Sequence, residues 1–342
     1  MKKLDLKKGK IFGFGEIMLR LTPTNYKKIS QASEYRGTYG GGEANVISSL
    51  SMFGHDTKFV TKLPNNNLGF TVENLLKSNG VDTKEIIFGE GRLGVYFFEM
   101  GHGYRVSEVT YDRKYSAISL ANRKEFELEK ILQDVGMLVI SGITPAISKE
   151  MRSFTVELIK KCKENNILVC FDSNYRAKMW SLEEAKECLE EILPLVDVAF
   201  LGIKDITNIL KIKVNETNDF DKSLLEAYKI LKEIYPNIKY MSSTRRNVNS
   251  INNNSLKGYI FDGEKLYSSK EYTFDILDRV GTGDSFTAGI IHGLLSYDNF
   301  EKIVEFGTVA SVLKHSIIGD MNQVTEKEVL SLVEEGLENI KR

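Results

Sequence analysis

The pattern best suited to chemistry is a glycine-rich run near the C-terminal end, residues 278–284, which reads DRVGTGD. Apolar residues then recur at helical spacing over residues 286–295. This order predicts a tight turn that opens a helix, with Asp284 in the first helical turn. Because the first N–H groups of a helix are unpaired and lie at the positive end of its dipole, such a turn is suited to binding phosphate.

Asp284 is the candidate general base of this site. A carboxylate would repel a bound phosphate, so we expect Asp284 to accept the proton of a neighbouring hydroxyl as that hydroxyl attacks. The N–H groups of Gly281, Thr282 and Gly283 would stabilise the transferred phosphoryl group, since phosphoryl transfer depends mainly on positioning and charge stabilisation. Simpler interpretations stay open: Asp284 as a helix cap only, and Asp278 as a turn cap or a residue that positions the loop or a bound cation.

A second glycine cluster lies in the N-terminal quarter, at residues 40–45, which read GGGEAN. It also opens an apolar-periodic segment, from Val46 to Phe53. The two clusters, in this order, resemble the two signatures of the PfkB/ribokinase family of carbohydrate kinases, GG-x-x-x-N and D-T-x-G-A-G-D. Residues 278–284 keep both aspartates and both glycines of the second signature, and the resemblance covers nearly the whole chain.

The resemblance implies a fold and a reaction. The fold would be a three-layer α/β/α sandwich with a mostly parallel central sheet and a small β-sheet lid over the sugar, formed as one domain over residues 1–342. The reaction would be ATP-dependent phosphorylation of a sugar hydroxyl, with Mg²⁺. Gly40, Gly41, Gly42 and Asn45 would bind sugar hydroxyls, since an amide offers both a donor and an acceptor. The alternative for the glycines is a strand–helix turn alone.

Two further segments resemble those of sugar-acid kinases in the family. Residues 172–176 have the form D-x-N-x-R, and residues 111–117 resemble the lid segment with which 2-keto-3-deoxygluconate kinases hold their substrate. The substrate contacts that this implies, besides Asp284, are Tyr96, Tyr111, Arg113 and Arg176. Two arginines suit a carboxylate, because a guanidinium fork matches its geometry. The alternative for Arg113 is an exposed lid charge.

The expected substrate is therefore 2-keto-3-deoxygluconate, phosphorylated to its 6-phosphate. Fructokinase activity is the closest alternative, and a non-catalytic regulator that binds sugar or nucleotide is a further one, because a fold does not fix a function.

The nucleotide side departs from the family pattern. Many relatives carry N-x-x-E where this chain has only Asp205, which could organise Mg²⁺ through water. Where relatives show T-x-G-x-x-G, this chain reads STRRNV over residues 243–248. That segment either contacts phosphates or forms a solvated polar hairpin. The candidate nucleotide-binding residues are Asn174, Arg176, Asp205, Ser243, Thr244, Arg245, Gly281, Gly283 and Thr308.

Composition excludes several classes of protein. The 46 basic and 47 acidic residues give a net charge of −1, which provides no strong field for nucleic acid or anionic membranes. The lysine-rich residues 2–10 lack the long apolar region of a signal peptide, and we expect a solvated tail. The three cysteines form no CxxC pair and the four histidines show no metal-ligand spacing. These features favour a soluble cytoplasmic protein that contains reduced thiols.

Two other glycine patterns do not predict a nucleotide site. Residues 89–94 fit GxGxxG, but the β-prone run Val95–Phe98 follows and cannot supply the helix that a dinucleotide site requires. The sequence contains no GxxxxGK[ST] motif, which excludes a Walker-type phosphate loop.

The periodicity of the chain predicts alternating strands and helices with helices on both faces of a sheet. Short continuous apolar runs predict buried parallel strands at 11–16, 58–62, 137–141, 167–171 and 196–201. Further strands are predicted at 238–243 and 256–262, with a polar loop at 245–255 between them. Helices are predicted at 68–79, 148–164, 183–192, 221–235, 284–297, 299–316 and 325–340. Residues 16–39 and 92–112 predict antiparallel lid strands, with a hairpin turn at 101–103 and an exposed edge through which a homodimer could form.

Overall fold

The structure is a computed structural model that describes residues 4–6, 9–215 and 217–336. Residues 2, 3, 7 and 8 of the lysine-rich N-terminal run, and the part of the predicted helix beyond residue 336, lie outside the described residues. The strands are β1 (Lys10–Phe14), β2 (Met18–Pro23), β3 (Tyr35–Gly40), β4 (Thr57–Val60), β5 (Lys62–Pro64), β6 (Ile87–Gly89), β7 (Gly94–Glu99), β8 (Glu108–Asp112), β9 (Val135–Ser141), β10 (Leu168–Asp172), β11 (Val198–Phe200), β12 (Tyr240–Ser250), β13 (Asn253–Phe261), β14 (Leu266–Ser268) and β15 (Tyr272–Asp275).

The helices follow the predicted positions closely, except that the short helix α3 was not predicted. They are α1 (Gly42–Met52), α2 (Asn67–Ser78), α3 (Leu128–Ile131), α4 (Lys149–Glu164), α5 (Leu182–Ile192), α6 (Phe220–Ile234), α7 (Thr282–Ser296), α8 (Phe300–Lys314) and α9 (Glu326–Glu334). Side-chain caps explain why several helices begin where they do, because each cap accepts a hydrogen bond from a first-turn N–H. Ser148 starts α4, Ser181 starts α5 and Thr325 starts α9 in this way. No helix among the described residues is long and apolar enough to cross a membrane.

The central sheet is mostly parallel, as predicted. Over the described residues its order is β4-β1-β9-β10-β11-β12-β13-β14, and β15 also pairs with β13. All neighbours from β4 to β12 are parallel, and β13 to β15 are antiparallel additions at one edge. A parallel sheet brings the carboxyl ends of its strands to one edge, which is where ligands bind in open α/β folds.

Strand side chains alternate between two separate apolar cores. In β1, Phe12 and Phe14 pack on the face covered by α4, α5 and α6, whereas Ile11 packs on the face covered by α1, α7 and α8. In β10, Val169 and Cys170 divide between the same two cores. Since both faces are covered, almost every strand residue is apolar, which accounts for the continuous apolar runs in the sequence. The result is the three-layer sandwich that the family resemblance implies.

The lid is a separate sheet with the order β3-β2-β7-β8. Both predicted lid segments contribute to it, and β7 and β8 form a hairpin whose turn closes between His102 and Arg105. The prediction of purely antiparallel lid strands was wrong at one place, because β2 and β7 pair in parallel. These two strands come from segments far apart in sequence, so no hairpin turn dictates their direction.

The predicted polar loop at 245–255 was also wrong. Residues there belong to β12 and β13, which pair in antiparallel register from Met241–Phe261 to Ser250–Asn253. Residues 244–250 are mostly polar because this part of β12 extends beyond the covered sheet and most of its side chains are exposed, whereas Asn254 and Ser255 of β13 are buried.

Candidate active site

A cavity of about 910 Å³ lies between the lid and the edge of the sheet where the parallel strands end. Its walls include the glycine cluster before α1, the segment after β10, the inner side of β12, the turn before α7 and the lid strands β7 and β8. The two glycine motifs that lie far apart in the sequence therefore meet in one place.

The turn before α7 depends on two glycines for different reasons. Gly281 precedes the helix with φ of +78°, a left-handed conformation that favours glycine, and a Cβ there would lie 1.9 Å from the carbonyl oxygen of Asp320. A Cβ on Gly283 would meet nothing within 4 Å, so the space beside it is open. The first N–H groups of α7 have no partner within the helix, and they line this open space.

Asp284 lies in the first turn of α7, at the wall of the cavity. Its Oδ2 accepts a hydrogen bond of 2.7 Å from Nδ2 of Asn45. Burial raises the pKa of Asp284 to about 6, while the Asn45 hydrogen bond and the charge of Arg176 oppose the shift. The carboxylate is therefore largely ionised near neutral pH and is basic enough to accept a proton.

Asn45, predicted to bind sugar hydroxyls, lines the cavity beside Asp284. It is 3% exposed, its Oδ1 accepts from the N–H of Gly41 at 3.3 Å, and its Nδ2 is engaged with Asp284. Both polar groups of Asn45 thus have protein partners, and its amide positions the carboxylate. Gly40 and Gly41 pack tightly, since Cβ atoms there would come within 2.2 Å of Asp320 and 1.8 Å of Glu16 respectively. These two and Gly42 also line the cavity.

Asp278 organises the turn. Its Oδ1 accepts from the N–H of Val280 at 3.1 Å, and its Oδ2 accepts from the N–H of Gly319 at 3.0 Å. Arg20 forms a buried ion pair with it at 2.8 Å and a second one with Asp320 at 3.2 Å. With its oxygens so occupied, Asp278 holds the loop and does not react.

The lid end of the cavity carries a second ion pair. Arg113 contacts Glu16, with the two side chains 13% and 3% exposed, and its guanidinium lies 5.6 Å from the ring centre of Tyr111. Oε1 of Glu16 is buried and without a hydrogen-bond partner among the described residues. Tyr96, predicted to contact substrate, lines the cavity, but its hydroxyl donates to Asp320. Arg113 is therefore a fixed part of the wall and not an exposed lid charge.

Glu16 and Asp320 are cavity residues that the sequence reasoning missed. Glu16 follows the carboxyl end of β1, which is a position that could have identified it. Asp320 follows α8 in a loop, and its contacts with Arg20 and Tyr96 join parts of the chain far apart in sequence. No local pattern signals such a contact.

The segment after β10 brings its polar residues to the same cavity. Asp172 accepts hydrogen bonds from the N–H of Asn174 at 3.0 Å and from Thr287 at 3.3 Å. Burial and the neighbouring charges of Asp284 and Asp205 raise the pKa of Asp172 to about 7. Arg176 lines the cavity, and no hydrogen bond or ion pair of its guanidinium with the described residues is found.

The opposite end of the cavity matches the predicted nucleotide side in part. Ser243, Thr244 and Asp205 line it, and Oδ2 of Asp205 accepts from the N–H of Gly202 at 2.7 Å. Among the described residues, no group of three or more His, Cys, Asp or Glu side chains could hold a metal ion. The role of Asp205 toward Mg²⁺ stays a prediction.

Two predicted nucleotide residues do not reach the cavity. Arg245 points to the other side of β12 and stacks on Phe220, with its guanidinium 4.8 Å from the ring centre. Thr308 is 0% exposed, its hydroxyl donates to the Val304 carbonyl at 2.7 Å, and it packs α8 against Gly258. Arg245 faces away from the cavity because side chains alternate along a strand, and Thr308 is enclosed because it packs α8 against the sheet.

Two other arginines line the cavity instead. Arg246 lies on the inner side of β12, with Nη2 3.4 Å from the Thr282 hydroxyl, and Arg279 lies in the turn itself. Burial and the charge of Arg279 lower the pKa of Arg246 to about 10. Neither guanidinium forms an ion pair with a carboxylate of the described residues. Two like charges beside the first N–H groups of α7 would suit this end of the cavity to a polyanion.

Comparison with known proteins decides the family. The family model for pfkB family carbohydrate kinases matches residues 8–326. The chain belongs to the PfkB family of carbohydrate kinases. In this kinase the anion-binding turn with Asp284 is thus the part of the cavity suited to phosphoryl transfer.

Individual relatives of this PfkB kinase cover almost its whole length. A 2-dehydro-3-deoxygalactonokinase of Haloferax volcanii is 30% identical over 329 residues, which are 96% of this chain and 98% of that protein. A 2-dehydro-3-deoxygluconokinase of Bacillus subtilis is 26% identical over 93% of both chains. The crystal structure of 2-dehydro-3-deoxygluconokinase from Thermotoga maritima superposes with a TM-score of 0.91 at 39% identity, over 95% of this chain and 99% of that one.

Proposed function

We propose that this PfkB kinase uses ATP to phosphorylate a 2-keto-3-deoxy sugar acid, with 2-keto-3-deoxygluconate as the preferred substrate and its 6-phosphate as the product. The observation that carries the proposal is the presence of Arg113 and Arg176 in the same cavity as Asp284. Two guanidinium groups favour a substrate with a carboxylate. The names of the three relatives reported above support the same class of substrate, although they differ in sugar configuration.

Arg113 and Arg176 are expected to have different roles, because only Arg113 is paired with a carboxylate. Arg113 is held by Glu16, so its position is set before substrate binds and its remaining N–H groups are available to a carboxylate. Oε1 of Glu16, which is buried and unpaired, is an acceptor for a sugar hydroxyl. Arg176 has no acidic partner within hydrogen-bond distance in the part of the chain that the structure describes. It lines the same cavity as the lid residues and the turn before α7, where it can serve either the acid or the phosphates.

The chain's own residues account for the transfer step. Asp284 accepts the proton of the sugar's terminal hydroxyl as the hydroxyl oxygen forms its bond to phosphorus and the bond to the leaving phosphate breaks. The N–H groups at Gly281, Thr282 and Gly283 stabilise the phosphoryl oxygens. Bound ATP supplies the phosphoryl group and Mg²⁺ neutralises phosphate charge, and the residues that would hold them are Ser243, Thr244, Arg246, Arg279 and, through water, Asp205.

A substrate panel with detection of ADP tests the proposal. 2-Keto-3-deoxygluconate, 2-keto-3-deoxygalactonate and fructose are compared at equal concentrations with ATP and Mg²⁺. The two acids should give the highest kcat/KM. Preference for fructose would make the chain a fructokinase, and binding of sugar without ADP formation would make it a non-catalytic regulator.

Arg113→Lys tests the carboxylate contact separately. Lysine keeps the charge that pairs with Glu16 but loses the fork, so kcat/KM for the acid should fall about 10- to 150-fold while fructose changes much less. The matched control is Arg92→Lys. Arg92 is a lid arginine that forms an exposed ion pair with Asp112 at 2.7 Å and does not line the cavity. Equal losses for acid and fructose in Arg113→Lys would remove the case for a sugar acid.

Three broader expectations remain part of the proposal. They are a single catalytic domain over residues 1–342, a cytoplasmic location and a homodimer formed through the lid. The outer face of the lid supports the last, because Leu19, Leu21 and Phe97 are only half-buried there.

A further inference from the structure

Lys314 is a buried charged residue to which the transfer chemistry assigns no role. It is the last residue of α8 and is 0% exposed. Its Nζ donates to the carbonyl oxygens of Ile317 at 3.0 Å and of Gly319 at 2.7 Å. A buried ammonium group is expensive unless it is well paired, so its place in the fold calls for a reason.

The loop that Lys314 holds is the support of the anion-binding turn. The N–H of Gly319 donates to Oδ2 of Asp278, at the start of the turn. The carbonyl of Asp320 lies against Gly281 so closely that a Cβ there would be 1.9 Å away. The carbonyl of His315, next to Lys314, accepts from the N–H of Asp278 at 3.1 Å. Displacement of residues 317–320 would therefore move the turn.

The electrostatic setting agrees with a fixed positive charge at this place. Burial lowers the pKa of Lys314, whereas the carboxylates of Asp278 and Asp320 oppose that change. Arg20 provides the other cation of this cluster and pairs with both carboxylates directly. The negative charges of Asp278 and Asp320 are thus balanced by two cations, Arg20 and Lys314.

We propose that Lys314 is a positioning residue that acts as a built-in cation, holding the 317–320 loop and through it the 278–284 turn in the form that binds the transferred phosphoryl group. Backbone carbonyl oxygens that converge on one point can equally hold a monovalent metal ion such as K⁺. With the ammonium group in that place, the kinase should need no monovalent cation. The inference rests on phosphoryl transfer at this turn and not on the identity of the sugar.

Two variants separate this role from ordinary helix capping. Lys314→Met keeps the length of the side chain and removes its charge, and Lys314→Ala also leaves room between the carbonyls. In both variants kcat should fall about 10- to 150-fold, because this is the rate factor that corresponds to the loss of a hydrogen bond to a charged group. Added K⁺ or NH₄⁺ should restore much of the kcat of Lys314→Ala and none of that of Lys314→Met, whose side chain fills the space. The parent enzyme should be indifferent when K⁺ is replaced by choline.

Lys232 offers a matched control. It lies near the end of α6, and its Nζ donates to the carbonyls of Pro236 at 3.0 Å and Ile238 at 2.6 Å, but this cluster does not line the cavity. Lys232→Met should lose stability without loss of kcat, as measured by thermal unfolding beside the assay. The proposal is overturned if Lys314→Met keeps the parent kcat, if neither cation raises the kcat of Lys314→Ala, or if the parent enzyme requires K⁺. The last measurement decides even where the variants fail to fold.

Discussion

The Asp284 carboxylate is subject to two opposing influences on its pKa. Burial at the cavity wall raises the pKa, whereas the Asn45 amide and the Arg176 charge stabilise the ionised form. The resulting pKa of about 6 keeps Asp284 ionised at neutral pH, yet makes it more basic than an exposed aspartate. A general base works best when its pKa lies near the working pH, so this setting suits proton transfer.

Replacement of the base should remove most turnover without unfolding the protein. Asp284→Asn keeps the size of the side chain but cannot accept the proton, and loss of a general base costs about 10²–10⁴-fold in kcat. Steady-state kinetics and isothermal titration with the sugar measure the two expectations, a large fall in kcat and retained binding. A variant with nearly parental kcat would show that another group is the base.

The acid limb of the pH profile should report the same carboxylate. Because only the ionised form accepts a proton, kcat/KM should fall as the pH drops through about 6. Asn45→Leu removes a hydrogen bond that lowers the pKa of Asp284, so its acid limb should move to higher pH. If the acid limb of Asn45→Leu stays at the same pH or moves to lower pH, Asn45 does not lower the pKa of Asp284.

Among the structural elements, the turn before α7 shows how two glycines of one motif can serve different purposes. Gly281 is required by the fold, since its φ is positive and the Asp320 carbonyl lies against it. Gly283 is not required by the fold, because nothing surrounds the position of its missing Cβ. The space at Gly283 is available to a ligand.

Alanine at each glycine should separate these purposes. Gly283→Ala should leave the melting temperature nearly unchanged, because alanine suits a helix, yet kcat should fall at least about tenfold as the methyl group enters the phosphate space. Gly281→Ala should lower both kcat and the melting temperature. Alanine disfavours the left-handed conformation and its Cβ would clash with the Asp320 carbonyl, so the turn must move to accommodate it. Differential scanning calorimetry beside the kinase assay measures both. A stable, fully active Gly283→Ala would contradict phosphate binding at this site.

At the scale of the whole molecule, the site lowers folding stability, because it concentrates acidic groups at one edge of the sheet. Asp172, Asp205 and Asp284 come from the ends of separate elements and meet in the cavity. Burial, together with the charges of Asp284 and Asp205, raises the pKa of Asp172 to about 7, well above that of an aspartate in an unfolded chain. The folded state therefore holds a proton that the unfolded state releases, and stability falls as the pH rises from about 4 through about 7.

Asp172→Asn should relieve this cost. Asparagine keeps an acceptor for the Asn174 N–H and a polar partner for Thr287 but cannot ionise. The variant should therefore melt higher than the parent at pH 8, by about 2 °C or more, with little difference at pH 4.5. Thermal unfolding at the two pH values measures this. A difference that does not depend on pH would show that the ionisation of Asp172 carries no stability cost.

The elements of the fold and the position of the central turn were predictable from the sequence. Glycine spacing and helical periodicity are local, and they identified the turn with Asp284 and the helix that follows it. Continuous apolar runs identified five parallel strands of the sheet, β1, β4, β9, β10 and β11, because burial on both faces leaves no room for alternation. The lid segments were predictable too, except that the direction of β2 against β7 is set by long-range pairing.

Only the tertiary structure decided which side chains face the cavity. Arg245 and Arg246 are neighbours in sequence, but the alternation of β12 sends one to Phe220 and the other to the anion site, so a shift of one residue in register exchanges them. Asn45 reaches Asp284, and Lys314 supports the turn, through contacts that a local pattern does not encode. The sequence by itself determined the backbone turn and the place of Asp284 in the first turn of the helix, since these depend on neighbours along the chain. The partners that tune the base and hold the turn depend on packing between distant segments.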